Sequence, residues 1–269
     1  MTITGGEITG GAAFGPRRIP GDALDIDTTG TVTITGGEIR GGAQNGDGTR
    51  GGFVGNIRNA QVEISGGTFD GVFGRSSLGL IDVRNSTITG GAFNGGDEGF
   101  ATDAFMTPTG EGDGLGVTGD SVLAIFDGLF TAGDSIARDG GGDALATSLR
   151  SNVTIFGGTF IGGLDMHSGE RGDALSAVQN SVINVRGGTF LGTADLIQDA
   201  QLNIFGFADL LFDGTTVTGT LLSGDAINLD VRLLQNAQVN LNVIPLPAGA
   251  WLLLSGLAAM GAARRFRRA

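Results

Sequence analysis

The sequence predicts an all-β fold: a single-stranded parallel β-helix, or solenoid, with ~30 residues per coil, followed by one short C-terminal transmembrane helix. Three observations predict it. A strand-and-glycine unit recurs along the chain. Glycine supplies 52 of the 269 residues. The longest uncharged apolar run sits at the C-terminus, immediately before a cluster of arginines.

The repeating unit is an alternating apolar strand, a Gly-Gly pair and one further apolar residue. It reads Val32-Thr-Ile34-Thr-Gly36-Gly37-Glu-Ile39 and returns as Val62-Glu-Ile64-Ser-Gly66-Gly67-Thr-Phe69. Further copies run through Ile88 to Phe93, Val153 to Phe160 and Ile183 to Phe190, and Asp127 replaces the first glycine in the copy from Leu123 to Phe130. Starting at Gly5, the first glycine or its substitute recurs at steps of 31, 30, 24, 37, 30 and 30 residues. A degenerate copy, Leu202-Asn-Ile204-Phe-Gly206-Phe207, arrives early. A second apolar marker precedes the strand by eight residues, as in Leu24, Val54, Leu115, Leu145 and Leu175. A β unit this short cannot bury its apolar row alone, whereas stacked copies bury it against one another. Thirty residues at roughly 3.3 Å each make a path of about 100 Å, enough for three short strands and their turns.

Stacking turns the repeat into ladders. Val32, Val62, Leu123, Val153 and Ile183 are expected inside, as are Ile34, Ile64, Ile88, Ile125, Ile155 and Val185. Ile39, Phe69, Phe93, Phe130, Phe160 and Phe190 are expected to form a mostly aromatic stack beyond the Gly-Gly corner. At coil spacings near 4.8 Å, seven or eight coils give a rod of roughly 35 Å. Right-handed winding is expected by analogy with parallel crossovers. The irregular steps imply an altered coil and a loop over 97–118. A closed barrel is the competing fold, but its strands would alternate over about ten residues between hairpin turns.

Composition removes several functions. With no Cys, disulfides, thiolate metal sites and cysteine nucleophiles are excluded, and a single His, His167, leaves no multi-histidine metal centre. The net charge of −12 disfavours nucleic acid as a partner. All 16 basic residues are Arg, and Arg264, Arg265, Arg267 and Arg268 stand together at the end of an otherwise acidic chain.

Two domains are expected: a solenoid over 1–242 and a tail over 243–269. No charge occurs between Arg232 and Arg264. Ala248 to Ala263 would span about 24 Å as a helix, short for a bilayer core of about 30 Å. Extension back to Val243 and arginine snorkelling would close the gap. The arginines mark a cytoplasmic end, which places the acidic body outside. The alternative is a terminal helix that caps the open end of the solenoid.

The segment Ile244-Pro245-Leu246-Pro247-Ala248, the apolar stretch and the final arginines resemble the PEP-CTERM sorting signal, in its VPLPA-CTERM variant. The resemblance implies recognition by an exosortase and cleavage near the Pro-Leu-Pro-Ala motif. It further implies an inner-membrane precursor and a mature form at the surface or in the matrix of a Gram-negative bacterium, where exopolysaccharide is a partner. Members of that family begin with a secretory signal peptide. Met1 to Gly6 has neither a basic region nor an apolar one, so the natural start is expected upstream.

Candidate chemistry is sparse. Asp113, Asp143 and Asp173 recur thirty residues apart and are expected to stack. Carboxylates ~4.8 Å apart repel by about 0.9 kcal/mol even in water, a repulsion that Ca²⁺ would relieve; the alternative is that each turns its corner beside glycine. Arg58, Arg84, Arg150 and Arg186 are candidates for a lyase-like groove, although the Arg150 slot reads as a turn. No compact motif joins these residues into a catalytic group. The expected protein is therefore a non-enzymatic structural or adhesive rod. The alternatives are a polysaccharide lyase or glycoside hydrolase on the same fold, and a membrane-anchored periplasmic binding module. A lateral groove with converging carboxylates would favour the enzyme.

Overall fold

The computed structural model describes residues 1–14, 21–42, 44–45, 52–72, 74–97, 112–135 and 140–244. These residues contain strands and turns and no helix. The alternation read from the sequence produces them directly: in Thr31–Ile34, Val32 and Ile34 face inward and are fully buried while Thr31 is exposed. The chain passes through three sheets in turn, each formed by pairing a strand with its counterpart one coil away.

The first sheet runs Thr2–Ile3, Thr31–Ile34, Gln61–Ile64, Ser86–Ile88, Val122–Ile125, Asn152–Ile155, Val182–Val185, Gln201–Gly206 and Gln238–Val243, all parallel. Its nine strands exceed the seven or eight coils that the repeat predicts. The second sheet stacks Glu7–Thr9, Glu38–Arg40, Thr68–Asp70, Ala92–Asn94, Leu129–Thr131, Thr159–Ile161 and Thr189–Leu191. The third begins Leu24–Asp27, Gly55–Arg58, Leu78–Ile81, Leu115–Thr118, Leu145–Thr147, Asp173–Val178 and Thr193–Ile197.

The expected ladders form one continuous core. Ile34, Ile64, Ile88, Ile125, Ile155 and Val185 are register partners in succession and almost wholly buried. The rings of Phe69, Phe93, Phe130, Phe160 and Phe190 stack with centroids 4.7, 4.8, 4.7 and 5.3 Å apart. That spacing is the rise of one coil, so the backbone ladder sets the aromatic contact. The Val32 ladder has one interruption: Ser86 takes the inner slot between Val62 and Leu123, and its hydroxyl accepts the Val62 N–H at 2.9 Å.

The corner from the first sheet to the second needs glycine. Gly37 has φ +104, and a Cβ there would press on the backbone of Gly5 and Gly6 in the coil below. The corner from the third sheet back to the first uses polar residues with positive φ, including Asn59, Arg150, Asn180 and Asp199. Arg150 thus occupies the turn slot that its spacing indicates.

Coil length varies most in the connection from the second sheet to the third. It spans residues 41–54 in one coil and 71–77 in the next. Later it shrinks to Gly192 alone, which is why the Leu202 copy comes early. At its base, glycines from the outgoing and returning chain interleave: Gly142 N–H donates to Gly133 O, Gly163 to Gly142 and Gly172 to Gly163, at 3.0, 3.0 and 2.6 Å.

Three expectations need correction. Val54 does not share the Leu24 position, because Leu24 pairs with Gly55; the corner after Gly55–Arg58 has two residues, Asn59 and Ala60, where the preceding corner has three. The loop expected over 97–118 ends earlier, since Leu115–Thr118 joins the third sheet opposite Leu78–Ile81; residues 98–111 lie outside the described ones. The last coil is not purely parallel. Ala226–Leu234 pairs in parallel with Thr193–Ile197 and antiparallel with Thr216–Thr220, which pairs antiparallel with Leu211–Phe212. This hairpin lays Val217, Leu221 and Leu229, all buried, over the end of the core. It covers part of an edge that parallel strands would leave open.

Candidate functional site: an acidic groove on the third sheet

The outer face of the third sheet carries a column of small side chains. Gly79, Gly116, Ala146 and Ser176 are register partners on successive strands, continued by Asp195 and Arg232. Small residues lower the floor of this column. Beside it run Asp113, Asp143 and Asp173, the three carboxylates expected to stack. The backbone holds them in file: Gly114 N–H donates to Asp143 O and Ala144 N–H to Asp173 O, both at 2.9 Å.

The floor and the file bound two hollows. One holds about 240 Å³ and is lined by Asn56, Gly79, Asp113, Gly116, Ala146 and Ser176, among others. The other holds about 700 Å³ between Asp143, Asp173, Glu170, Arg171, Asp230 and Arg232. Sequence reasoning missed Asp195, Asp230 and Arg232. Asp195 follows Ala194, which stands eight residues before Leu202, so the second marker would have located it had the short coil not obscured the offset. Asp230 and Arg232 belong to the hairpin strand, which has no repeat signature.

The charges differ in their surroundings. Asp195 is buried and receives both Nε, at 3.0 Å, and Nη2 of Arg232, a bidentate ion pair. Asp173 accepts a hydrogen bond from the Thr193 hydroxyl; burial pushes its carboxyl above the usual range, against the pull of that bond. Burial pushes Asp143 well above the carboxylate range, and the neighbouring charges of Asp113 and Asp173 add to the push. The protonated form of Asp143 is therefore favoured, which gives the file a way to shed repulsion. Among the described residues, no three acidic or histidine side chains converge into a group that would hold a metal ion. The groove thus combines a readily protonated carboxyl, ionisable carboxylates and two arginines, chemistry suited to hydrogen-bonding a polyhydroxylated ligand.

The remaining candidates stand elsewhere. Arg58 pairs with Asp25 at 2.7 Å on the outer face of the first two strands of the third sheet, and Arg150 with Asp120 at 2.8 Å on a corner. His167 is exposed in the loop after Leu164, where its N–H donates to Asp165. Arg186 lies on another edge of the rod, beside aromatic rings. Of the tail, Ile244 is described and extends the first sheet, its N–H donating to Gly206 O at 2.9 Å. Pro245, Leu246, Pro247, Ala248 and the cluster of Arg264, Arg265, Arg267 and Arg268 lie outside the described residues, as does the expected membrane helix. Comparison with known protein families, curated proteins and solved structures finds no match to this chain.

Proposed function

We propose that the chain is an exported, right-handed β-solenoid that serves as a structural or adhesive rod at the bacterial surface or in the extracellular matrix. Its tail holds the precursor in the inner membrane, with the arginines cytoplasmic, until an exosortase cleaves near Pro245-Leu246-Pro247-Ala248. The observation that carries this reading is the order of parts at the C-terminus. The last strand of the rod ends at Val243, and the sorting-like motif, the apolar stretch and the four arginines follow at once. The mature role is contact with exopolysaccharide, supported by the hollow that carboxylates and arginines line on the third sheet. Mass spectrometry of the chain from hosts with and without active exosortase tests the proposal. Loss of the tail only where the enzyme is active is expected. An intact tail on mature protein would replace this reading with a permanently anchored periplasmic binding module.

A second reading has a specific observation behind it. The groove brings Asp143 and Asp173 together with Glu170, Asp230, Arg171 and Arg232, and the environment of Asp143 favours its protonated form. A protonated carboxyl beside an ionised one is the pairing that glycoside hydrolases use. A glycan-degradation screen decides: turnover abolished by Asp143→Asn establishes the enzyme, and its absence across acidic and neutral glycans leaves the scaffold. Calcium bridging of Asp113, Asp143 and Asp173 is tested by calorimetric titration with calcium chloride, in which heat lost in the Asp143→Asn variant would support a bound cation.

A further inference from the structure

We propose that the stack of Phe126, Phe156, Arg186 and Phe205 is a recognition site for a carboxylate carried by an acidic glycan. Each of these residues follows an inward-facing residue of the first sheet: Ile125, Ile155, Val185 and Ile204, which are register partners on four successive coils. The four side chains therefore rise in one column on the outside of the corner. Phe126 and Phe156 stack with centroids 4.7 Å apart. The Arg186 guanidinium carbon lies 5.6 Å from the Phe156 ring centre and 4.6 Å from that of Phe205, so the cation is held between two aromatic faces.

Packing of the core does not explain this column. The core already has its own phenylalanine stack, whereas Phe126 and Phe156 are 47% and 37% exposed and Leu129, across the corner, is 41% exposed. Arg186, like Arg40, Arg84 and Arg171 among the described residues, makes no ion pair. In a chain of net charge −12, Arg58, Arg150 and Arg232 each meet a carboxylate. Among the described residues Arg186 meets none, and its Nε is buried without a hydrogen-bond partner. Its contacts are the two rings, which fix the side chain while its terminal nitrogens remain open to solvent.

The exposed rim of the column defines the ligand. Stacking covers both faces of Phe156 and one face each of Phe126 and Phe205, and turns the ring edges, which carry positive potential, along the rim. The guanidinium presents its N–H donors on the same side. A strip of positive edges on an acidic protein selects an anion, and the planar fork of Arg matches the planar carboxylate end-on. The glycan as carrier rests on the matrix reading above; the carboxylate site itself does not.

Calorimetry on the full chain in detergent tests the proposal, with hexagalacturonate as the acidic probe and maltohexaose as the neutral one. Hexagalacturonate is expected to bind and maltohexaose is not. Arg186→Gln and Arg186→Lys are each expected to weaken binding about tenfold or more, and Arg150→Gln is expected to leave it unchanged. An unaltered thermal midpoint shows that the variants fold. Binding unchanged in Arg186→Gln overturns the site while leaving glycan contact standing. Failure of the wild type to bind hexagalacturonate overturns the site outright, whatever the neutral glycan does.

Discussion

Gly163 shows how closely neighbouring coils approach. A methyl group there would run into the carbonyl oxygen of Gly133 and the backbone nitrogen of Gly142. Gly163→Ala is expected to destabilise the fold by roughly 1–3 kcal/mol, since backbone rather than a flexible side chain must yield. At Gly11 a Cβ meets nothing within 4 Å and φ is not positive; Gly11→Ala is expected to shift stability by about 0.5 kcal/mol or less. Paired denaturant titrations of the two variants check this contrast. Phe130 makes the complementary case from the core. Its ring is fully buried between Phe93 and Phe160, and Phe130→Ala is expected to cost about 3–5 kcal/mol in the same assay.

The ladders of the first and second sheets follow from sequence, because each inward position repeats an apolar side chain and each corner repeats glycine. The third sheet was less legible. Gly55 interrupts its inward apolar column between Leu24 and Leu78, its outer face offers the small residues Gly79, Gly116 and Ala146, and a corner one residue shorter displaced the marker at Val54. The hairpin from Leu211 was not legible at all, since antiparallel pairing inside a parallel stack leaves no repeat. The same limits governed the candidate site: the regular spacing of Asp113, Asp143 and Asp173 revealed the file, while its arginine partner came from the irregular coil. The file has a testable pH signature. Because the folded-state pKa of Asp143 is raised, the folded state holds a proton that the unfolded state releases above about pH 4. The stability cost therefore grows as pH rises from there through the folded-state pKa and is fully present above it. Asp143→Asn is expected to raise the unfolding midpoint at pH 7, with the gain vanishing below about pH 4. A midpoint difference independent of pH would show that the buried charge is not the cause.

At the scale of the molecule, the sheets place a continuous apolar core inside and assign different tasks to the outside. The first sheet's face is polar, with Asn184, Asn203 and Asn240 linked side chain to side chain at 2.9 Å. The third bears the groove, and the edge between second and third bears the connections that vary most in length. The hairpin covers part of one end, and Leu229→Ala is expected to cost about 2–5 kcal/mol, with faster amide exchange in the last coil as the local readout. All of these assignments depend on coils stacking in parallel and in register. A chain without cysteine makes that directly measurable by disulfide trapping. Thr154 and Asn184 are register partners on adjacent strands, whereas Asn203 stands one coil further on. The pair Thr154→Cys with Asn184→Cys brings two Cα atoms to about 4.8 Å, within disulfide range, and Thr154→Cys with Asn203→Cys leaves them about twice as far apart, beyond it. Rapid oxidation of the first pair and none of the second is the predicted result; cross-linking of the second in preference to the first would contradict the stacked register.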